Sequence, residues 1–249
     1  WTKQGPIEDD KPNGGASFSD SKLYYQVTEF DASGICTVSC VGSKKTTYTS
    51  LVIPSTVNYK GYVFQVTKIG TSAFSSMKQL KKVTIGSNIK TISKKAFYNC
   101  SALKTIDFSQ FKPTNLKTIA GVFKSCSSLE YLDLKDLDLS KIQNLGSLFS
   151  GMTALTSIEL EGVKTDTVNS LSSIFEGCSS LKKINLASFS TSSVTTMEKM
   201  FKGCSSLEEA TFANLDNSMV TSFEGFLEGC TNMKGTVDLS NFKGSALIN

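Results

Sequence analysis

Neither arginine nor histidine occurs in this chain of 249 residues; all 26 of its basic residues are lysine. Without histidine there is no Ser-His-Asp or Cys-His machinery and no imidazole to ligate a metal. Without arginine there is no planar fork to clamp a phosphate through paired hydrogen bonds. Long apolar runs are missing too: no stretch approaches the ~18–20 residues that a membrane span requires. The chain begins at Trp1 with no initiator Met and no secretory apolar region, so a targeting segment is expected to lie outside it. Lysine, carboxylates, tyrosine and cysteine remain, so catalysis is not forbidden by residue type. A carboxylate pair set in a cleft would still be needed, and no enzyme is expected.

What is present is unevenly charged. The net charge of +4 is the sum of two opposed halves. Residues 1–124 hold 17 lysines against 7 acids, and residues 125–249 hold 9 lysines against 15 acids. Such asymmetry can steer partners, although a solvated surface that drifted in composition would look the same.

The dominant feature is a repeated phrase. LSSIFEGCSSLKKINL (171–186) returns as MEKMFKGCSSLEEATF (197–212), and earlier as LGSLFSGMTALTSIEL (145–160) and IAGVFKSCSSLEYLDL (119–134). A slightly altered copy, ISKKAFYNCSALKTIDF, occupies 92–108. Phenylalanine recurs at 74, 97, 123, 149, 175 and 201, with Leu227 in the seventh place; the first interval is 23 residues and the others 26. A fixed period in this range marks a stack of structural repeats. The longer repeats gain a turn after the strand that carries one more apolar residue, at Phe111, Leu137, Val163, Phe189 and Leu215.

Each repeat has two apolar spacings. Met197, Met200, Phe201 and Cys204 fall at i, i+3, i+4 and i+7, as do Leu171, Ile174, Phe175 and Cys178. That spacing predicts a two-turn helix. Leu181, Ile184 and Leu186 follow, ending in the alternation of a short half-buried strand. The expectation is an α/β solenoid over 66–249, about seven repeats of short parallel strands and short helices, the last repeat incomplete. Residues 18–65 contain short β-branched and aromatic runs, with NYKG (58–61) as a hairpin loop, and predict a β-rich cap over the open end. Residues 1–17 mix Pro, Gly and charge without periodicity and read as a flexible leader.

Of the seven cysteines, Cys100, Cys126, Cys178, Cys204 and Cys230 share one repeat position, which Met77 and Met152 fill in the other two repeats. A column that accepts Met is apolar, so buried free thiols are expected. A disulfide or a metal are the other readings, but parallel Cβ vectors suit neither a bridge nor four converging ligands. Cys36 and Cys40 would lie ~13 Å apart along one strand and could not bridge each other.

The units AFSSMKQLKKVTI and AFYNCSALKTIDF resemble the BspA-like, treponemal-type leucine-rich repeat, AFxxCxxLxxIxL. MFKGCSSLEEATF and IFEGCSSLKKINL resemble the related 26-residue repeats, and IPSTVNYKGYVFQVTKIGTSAF the β-rich lead-in of such proteins. The resemblance spans about residues 45–240. It implies a leucine-rich-repeat solenoid in a secreted, lipid-anchored or wall-associated surface protein of host-associated bacteria. It also implies adhesion to host matrix proteins or to other cells. The motif's fixed positions are all core, so no ligand or catalytic residue transfers with it.

In such a solenoid the strand residues between the buried ones form the exposed face. One column there is Lys82, Thr105, Tyr131, Ser157, Lys183, Glu209; the other is Thr84, Asp107, Asp133, Glu159, Asn185, Thr211. The run Asp107, Asp133, Glu159 could serve a basic ligand or Ca²⁺, or could be screened by solvent and nearby lysines. A second candidate is the basic cluster Lys78, Lys81, Lys82, Lys90, Lys94, Lys95 and Lys104, which could meet a sulfated glycan or another acidic partner. Nucleic acid is not expected without arginine or an aromatic platform, and no cofactor or metal is expected. The two function classes are an adhesin binding host protein, glycan or another cell-surface protein, and a structural spacer with no ligand on this segment.

Overall fold

The computed structural model describes residues 14–30, 34–111, 113, 116, 118–134, 139–160, 163, 165–211, 216 and 218–234. Most of the expected leader, Leu137, Leu215 and the unfinished eighth repeat after Leu239 lie outside them.

The amino-terminal part is a sheet of β-branched and aromatic strands: β1 (Ser17–Ser19), β2 (Leu23–Phe30), β3 (Cys36–Ser43), β5 (Thr56–Tyr59) and β6 (Tyr62–Ile69), ordered β1-β2-β3-β6-β5. The β5–β6 hairpin turns on Lys60 and Gly61, both at positive φ (50° and 83°), as a two-residue loop between twisted strands requires. Phe18 closes the sheet's inner face, stacked on Tyr59 with ring centroids 4.1 Å apart.

This sheet is built into the solenoid rather than laid across its end. β4 (Ser50–Ile53) pairs in parallel with β7 (Lys82–Ile85), which pairs with β9 (Thr105–Asp107). β6 continues in parallel into β8 (Thr91–Ile92). Two ladders therefore run along the stack. The first passes through β10 (Tyr131–Asp133), β11 (Ser157–Glu159), β12 (Lys183–Asn185) and β13 (Glu209–Thr211). The second narrows to single parallel bridges joining Thr118, Asn144, Ser170, Thr196 and Ser222 in succession. About six coils are described.

The interior is continuous from Phe18 to Phe226. The phenylalanine column stacks in two runs, Phe74–Phe97–Phe123 and Phe149–Phe175–Phe201, at 5.3–6.1 Å between centroids. The added apolar residues Phe111, Val163 and Phe189 are buried as well. At the last described coil Phe226 fills the core and meets Phe201 edge-on, while Leu227 is only half-buried.

The expected two-turn helices do not form; the described residues contain no helix. Residues 171–174 and 175–178 are two successive four-residue turns, closed by hydrogen bonds from Ile174 N–H to Leu171 (3.2 Å) and from Cys178 N–H to Phe175 (3.0 Å). Their corner residues point inward, which reproduces the i, i+3, i+4, i+7 spacing without a helix. The intervening N–H groups leave the coil: Ser173 donates to Glu198, Phe175 to Met200 and Gly177 to Lys202, at 2.7–3.0 Å. An α-helix would aim its N–H groups along its own axis and, beyond the first four, spend them on its own carbonyls, so none in the second turn could reach the next coil. Alternation of inward and onward bonds needs left-handed residues, supplied here by Ser173 (φ 56°) and Gly177 (φ 73°). The side chains of Thr118, Asn144, Ser170, Thr196 and Ser222 open each turn run by accepting the N–H two residues on.

Among the described residues, which include all seven cysteines, no disulfide forms; six of the cysteines are buried and Cys230 is half-buried. Cys36 and Cys40 both lie in β3.

Candidate functional site

Along the first ladder the buried strand residues (Val83, Leu132, Ile184) alternate with outward ones. The columns Lys82, Thr105, Tyr131, Ser157, Lys183, Glu209 and Thr84, Asp107, Asp133, Glu159, Asn185, Thr211 are all exposed or half-exposed, so they share one surface. That surface is not an unbroken sheet. Among the described residues the ladder exists as three pieces, β4-β7-β9, β10-β11 and β12-β13. Strand pairing fails between β9 and β10 and again between β11 and β12. The coils stay joined on the turn side at the first break, where Phe97 N–H donates to Val122 and Asn99 N–H to Lys124 (3.1 and 2.7 Å). At that break the described coils therefore part on the strand side while staying bonded on the turn side.

Each opening is a groove. The one between β9 and β10 measures about 650 Å³ and is walled by Tyr131, Asp107 and Asp133, with Ile106, Phe108 and Leu132 supplying apolar floor. Tyr131 is 48% exposed, among the largest apolar surfaces the solenoid shows. The second groove, about 640 Å³, lies between Ser157–Leu160 and Lys183–Asn185 and is more polar in its lining residues.

The seams divide the acidic run. Asp133 and Glu159 are register partners on paired strands, whereas Asp107 stands across the first groove from Asp133. Asp107 has an occupation of its own: the hydroxyl and the backbone N–H of Ser109 (2.9 Å to N–H) hold its carboxyl below the usual carboxylate range, with Lys82 assisting. Asn185 makes the same bond to Ala187 N–H at 2.9 Å. Two members of this column thus bridge strand to turn. Among the described residues no group of three or more metal-ligating side chains converges.

The far end of the face is charge-paired. Lys183 meets Glu209 at 2.8 Å and Lys234 meets Glu208 at 2.6 Å, each across one coil boundary. Glu209 raises the Lys183 ammonium above its ordinary pKa, and Lys234 holds Glu208 below its own. Exposed pairs of this kind add little stability, but they leave those side chains satisfied.

The predicted basic cluster is not one patch. Lys82 and Lys104 belong to the strand side. Lys78 donates to the Asn99 side chain; Lys81 stands immediately before β7 as Lys104 does before β9, Lys90 stands immediately before β8, and both are exposed. Lys94 and Lys95 lie on the turn side, where they share a separate groove of about 470 Å³ with Lys124, Tyr98, Ser147 and Ser172. Lys124 and Tyr98 went unrecognised in the sequence because neither belongs to the repeat's strand. Counting on by the 26-residue period would have brought both to the turn side.

Residues 44–165 match the family described as BspA type leucine rich repeat region, in six copies. Residues 117–242 match the family described as Mycoplasma protein of unknown function, DUF285. The chain is similar to the crystallised leucine-rich-repeat protein of T. pallidum: 19% identity over 84% of this chain and 87% of that one, with a TM-score of 0.56. A leucine rich cell surface protein of Faecalibacterium prausnitzii is 20% identical over 89% of this chain and 47% of its own, with a TM-score of 0.38. The pneumococcal vaccine antigen PcpA is 18% identical over 85% and 51%, with a TM-score of 0.37. This chain spans about half the length of the latter two; at 19% identity the likeness to the T. pallidum protein concerns the fold alone. No curated protein matches the sequence.

Proposed function

The chain belongs to the BspA-type leucine-rich-repeat family, continued over residues 117–242 by the Mycoplasma family, and from that premise we propose that it is a non-enzymatic binding module of a cell-surface protein. Its partner is an extracellular protein, of a host or of a neighbouring cell, held against the strand face as an adhesin holds its target. The observation that carries this reading is the opening between β9 and β10, where an exposed tyrosine stands over apolar side chains between two strand edges that do not pair. Tyrosine is among the residues enriched at protein interfaces, where a large rigid ring buries apolar area and keeps a hydroxyl for bonding. The rest of the face, with Lys183–Glu209 and Lys234–Glu208 mutually paired, suits a spacer equally well.

The test is the triple variant Tyr131→Ala, Asp133→Asn, Glu159→Gln in a cell-adhesion or matrix-protein binding assay, alongside its unfolding midpoint. Loss of binding of ten-fold or more, with the midpoint kept, supports the module. Undiminished binding by a folded variant favours the spacer.

A further inference from the structure

We propose that the groove on the turn side is a second, independent site that takes an acidic polysaccharide, its sugar carboxylates or sulfates held by Lys94, Lys95 and Lys124. The groove runs across successive coils, with Tyr98 in one wall and Ser147 and Ser172 among the small residues that line it. Its cations are uncompensated. Among the described residues none of the three lysines has a carboxylate partner, and the Lys95 ammonium instead sits 5.6 Å from the centre of the Tyr98 ring.

The repeat supplies an internal control. Lys199 occupies the Lys95 position four coils later, and Lys202 the Lys124 position three coils later. There both are neutralised from the next coil, Lys199 by Glu224 at 3.8 Å and Lys202 by Glu228 at 2.8 Å. The places of those two glutamates are filled by Ala120, which lines the groove, and by the buried Ser150. One backbone geometry therefore holds the same two lysine columns paired at one end and unpaired at the other. The unpaired end is the one where residues as small as Ala120, Gly121 and Gly146 leave a channel above the backbone.

The ligand class follows from the lining. Ammonium groups are point charges that suit carboxylate and sulfate alike and demand no planar partner. The Tyr98 face offers a platform for a sugar ring, and the Ser147, Ser170 and Ser172 positions offer hydroxyl partners to sugar hydroxyls. A single ring with no arginine is a poor platform for successive nucleobases.

The experiment uses the full chain with two probes, a heparin oligosaccharide for sulfate and polygalacturonate for carboxylate, titrated at several salt concentrations. Binding by at least one probe that weakens with salt is expected. Lys94→Gln/Lys95→Gln/Lys124→Gln should weaken it ten-fold or more and flatten the salt dependence. Lys199→Gln/Lys202→Gln should leave it unchanged. Ala120→Glu keeps every lysine but gives Lys95 the partner that Lys199 has, so it should also weaken binding and guards against misfolding of the triple variant. Tyr98→Ala should weaken binding several-fold with the salt slope intact. The strand-face variant Tyr131→Ala/Asp133→Asn/Glu159→Gln should bind both probes normally, which separates this site from the strand face. No binding of either probe at low salt, equal loss in Lys199→Gln/Lys202→Gln, or equal binding of polyaspartate would overturn the assignment.

Discussion

The thiol of Cys178 donates to the carbonyl oxygen of Phe149 across a coil boundary, with Sγ and O 3.2 Å apart. The same carbonyl accepts the N–H of Met152 at 3.1 Å within its own coil, so both its lone pairs are engaged. The bond recurs from Cys100 to Phe74, Cys126 to Phe97, Cys204 to Phe175 and Cys230 to Phe201, at 3.0–3.2 Å. Burial pushes the Cys100 thiol up to about 11 and the Cys178 thiol up to about 12, which keeps these two protonated donors, whereas the Cys204 thiol beside the half-buried Cys230 holds that one below its ordinary value.

Replacing Cys178 tests whether that donor matters. Cys178→Ala removes the thiol and opens a small void, and should cost roughly 1–2 kcal/mol in urea unfolding. Cys178→Ser retains a donor aimed at the same oxygen and should be at least as stable as Cys178→Ala. A serine variant clearly weaker than the alanine variant would mean that burying the hydroxyl costs more than its bond to the Phe149 oxygen returns, and that the position is held by its apolar character instead.

The cysteine column shows where the sequence could be read and where it could not. Met at 77 and 152 identifies the position as apolar, and the structure buries both with the cysteines. The repeat period, the inward phenylalanines and the short strands were equally legible, because strict spacing reports which residues face one interior. The helices were misread because inward corners of two consecutive turns have the same spacing as one helix face. The signal that separates them is the left-handed residue every fourth place, written as glycine at 151, 177, 203 and 229 but hidden as serine at 125 and asparagine at 99. The seams were not legible at all. Thr105 and Tyr131 look as pairable as Tyr131 and Ser157, yet only the second pair lies in a ladder. Nor could the basic cluster be divided between surfaces before each lysine's side of the coil was known.

Gly86 marks the joint between the amino-terminal sheet and the first coil. A Cβ there would stand 2.6 Å from the Pro54 carbonyl carbon and the Ser55 nitrogen and 2.7 Å from the Ile53 oxygen, all of them backbone. Backbone cannot swing aside as a side chain can, so Gly86→Ala must push the end of β4 off β7. A loss of roughly 1–3 kcal/mol is expected, the usual range for forcing extra atoms into a packed site. Hydrogen exchange should show Leu51 and Val83 losing protection more than Ile184. Uniform loss along the stack would mean that the sheet and the coils unfold as one unit.

Asp20 gives the amino-terminal sheet an acid limit. Burial alone would raise its carboxyl, but N–H groups of Leu23 and Lys22, both at 2.7 Å, and the Tyr25 hydroxyl at 2.8 Å hold it below the usual range. A carboxyl depressed in the folded state contributes stability that is present above its unfolded pKa of about 3.9 and is lost as pH falls through the folded value. Below that point the protonated group can no longer accept all three bonds, and the buried Tyr25 hydroxyl loses its partner. Asp20→Asn should lower stability near neutral pH by roughly 1–3 kcal/mol, the range for a hydrogen bond to a charged group. It should also flatten the acid limb of the stability curve relative to the wild type. Asp107 and Glu208 are depressed as well and titrate identically in both proteins, so the difference between the two curves belongs to Asp20. Parallel acid limbs would show that the three donors find other acceptors when the carboxylate is gone.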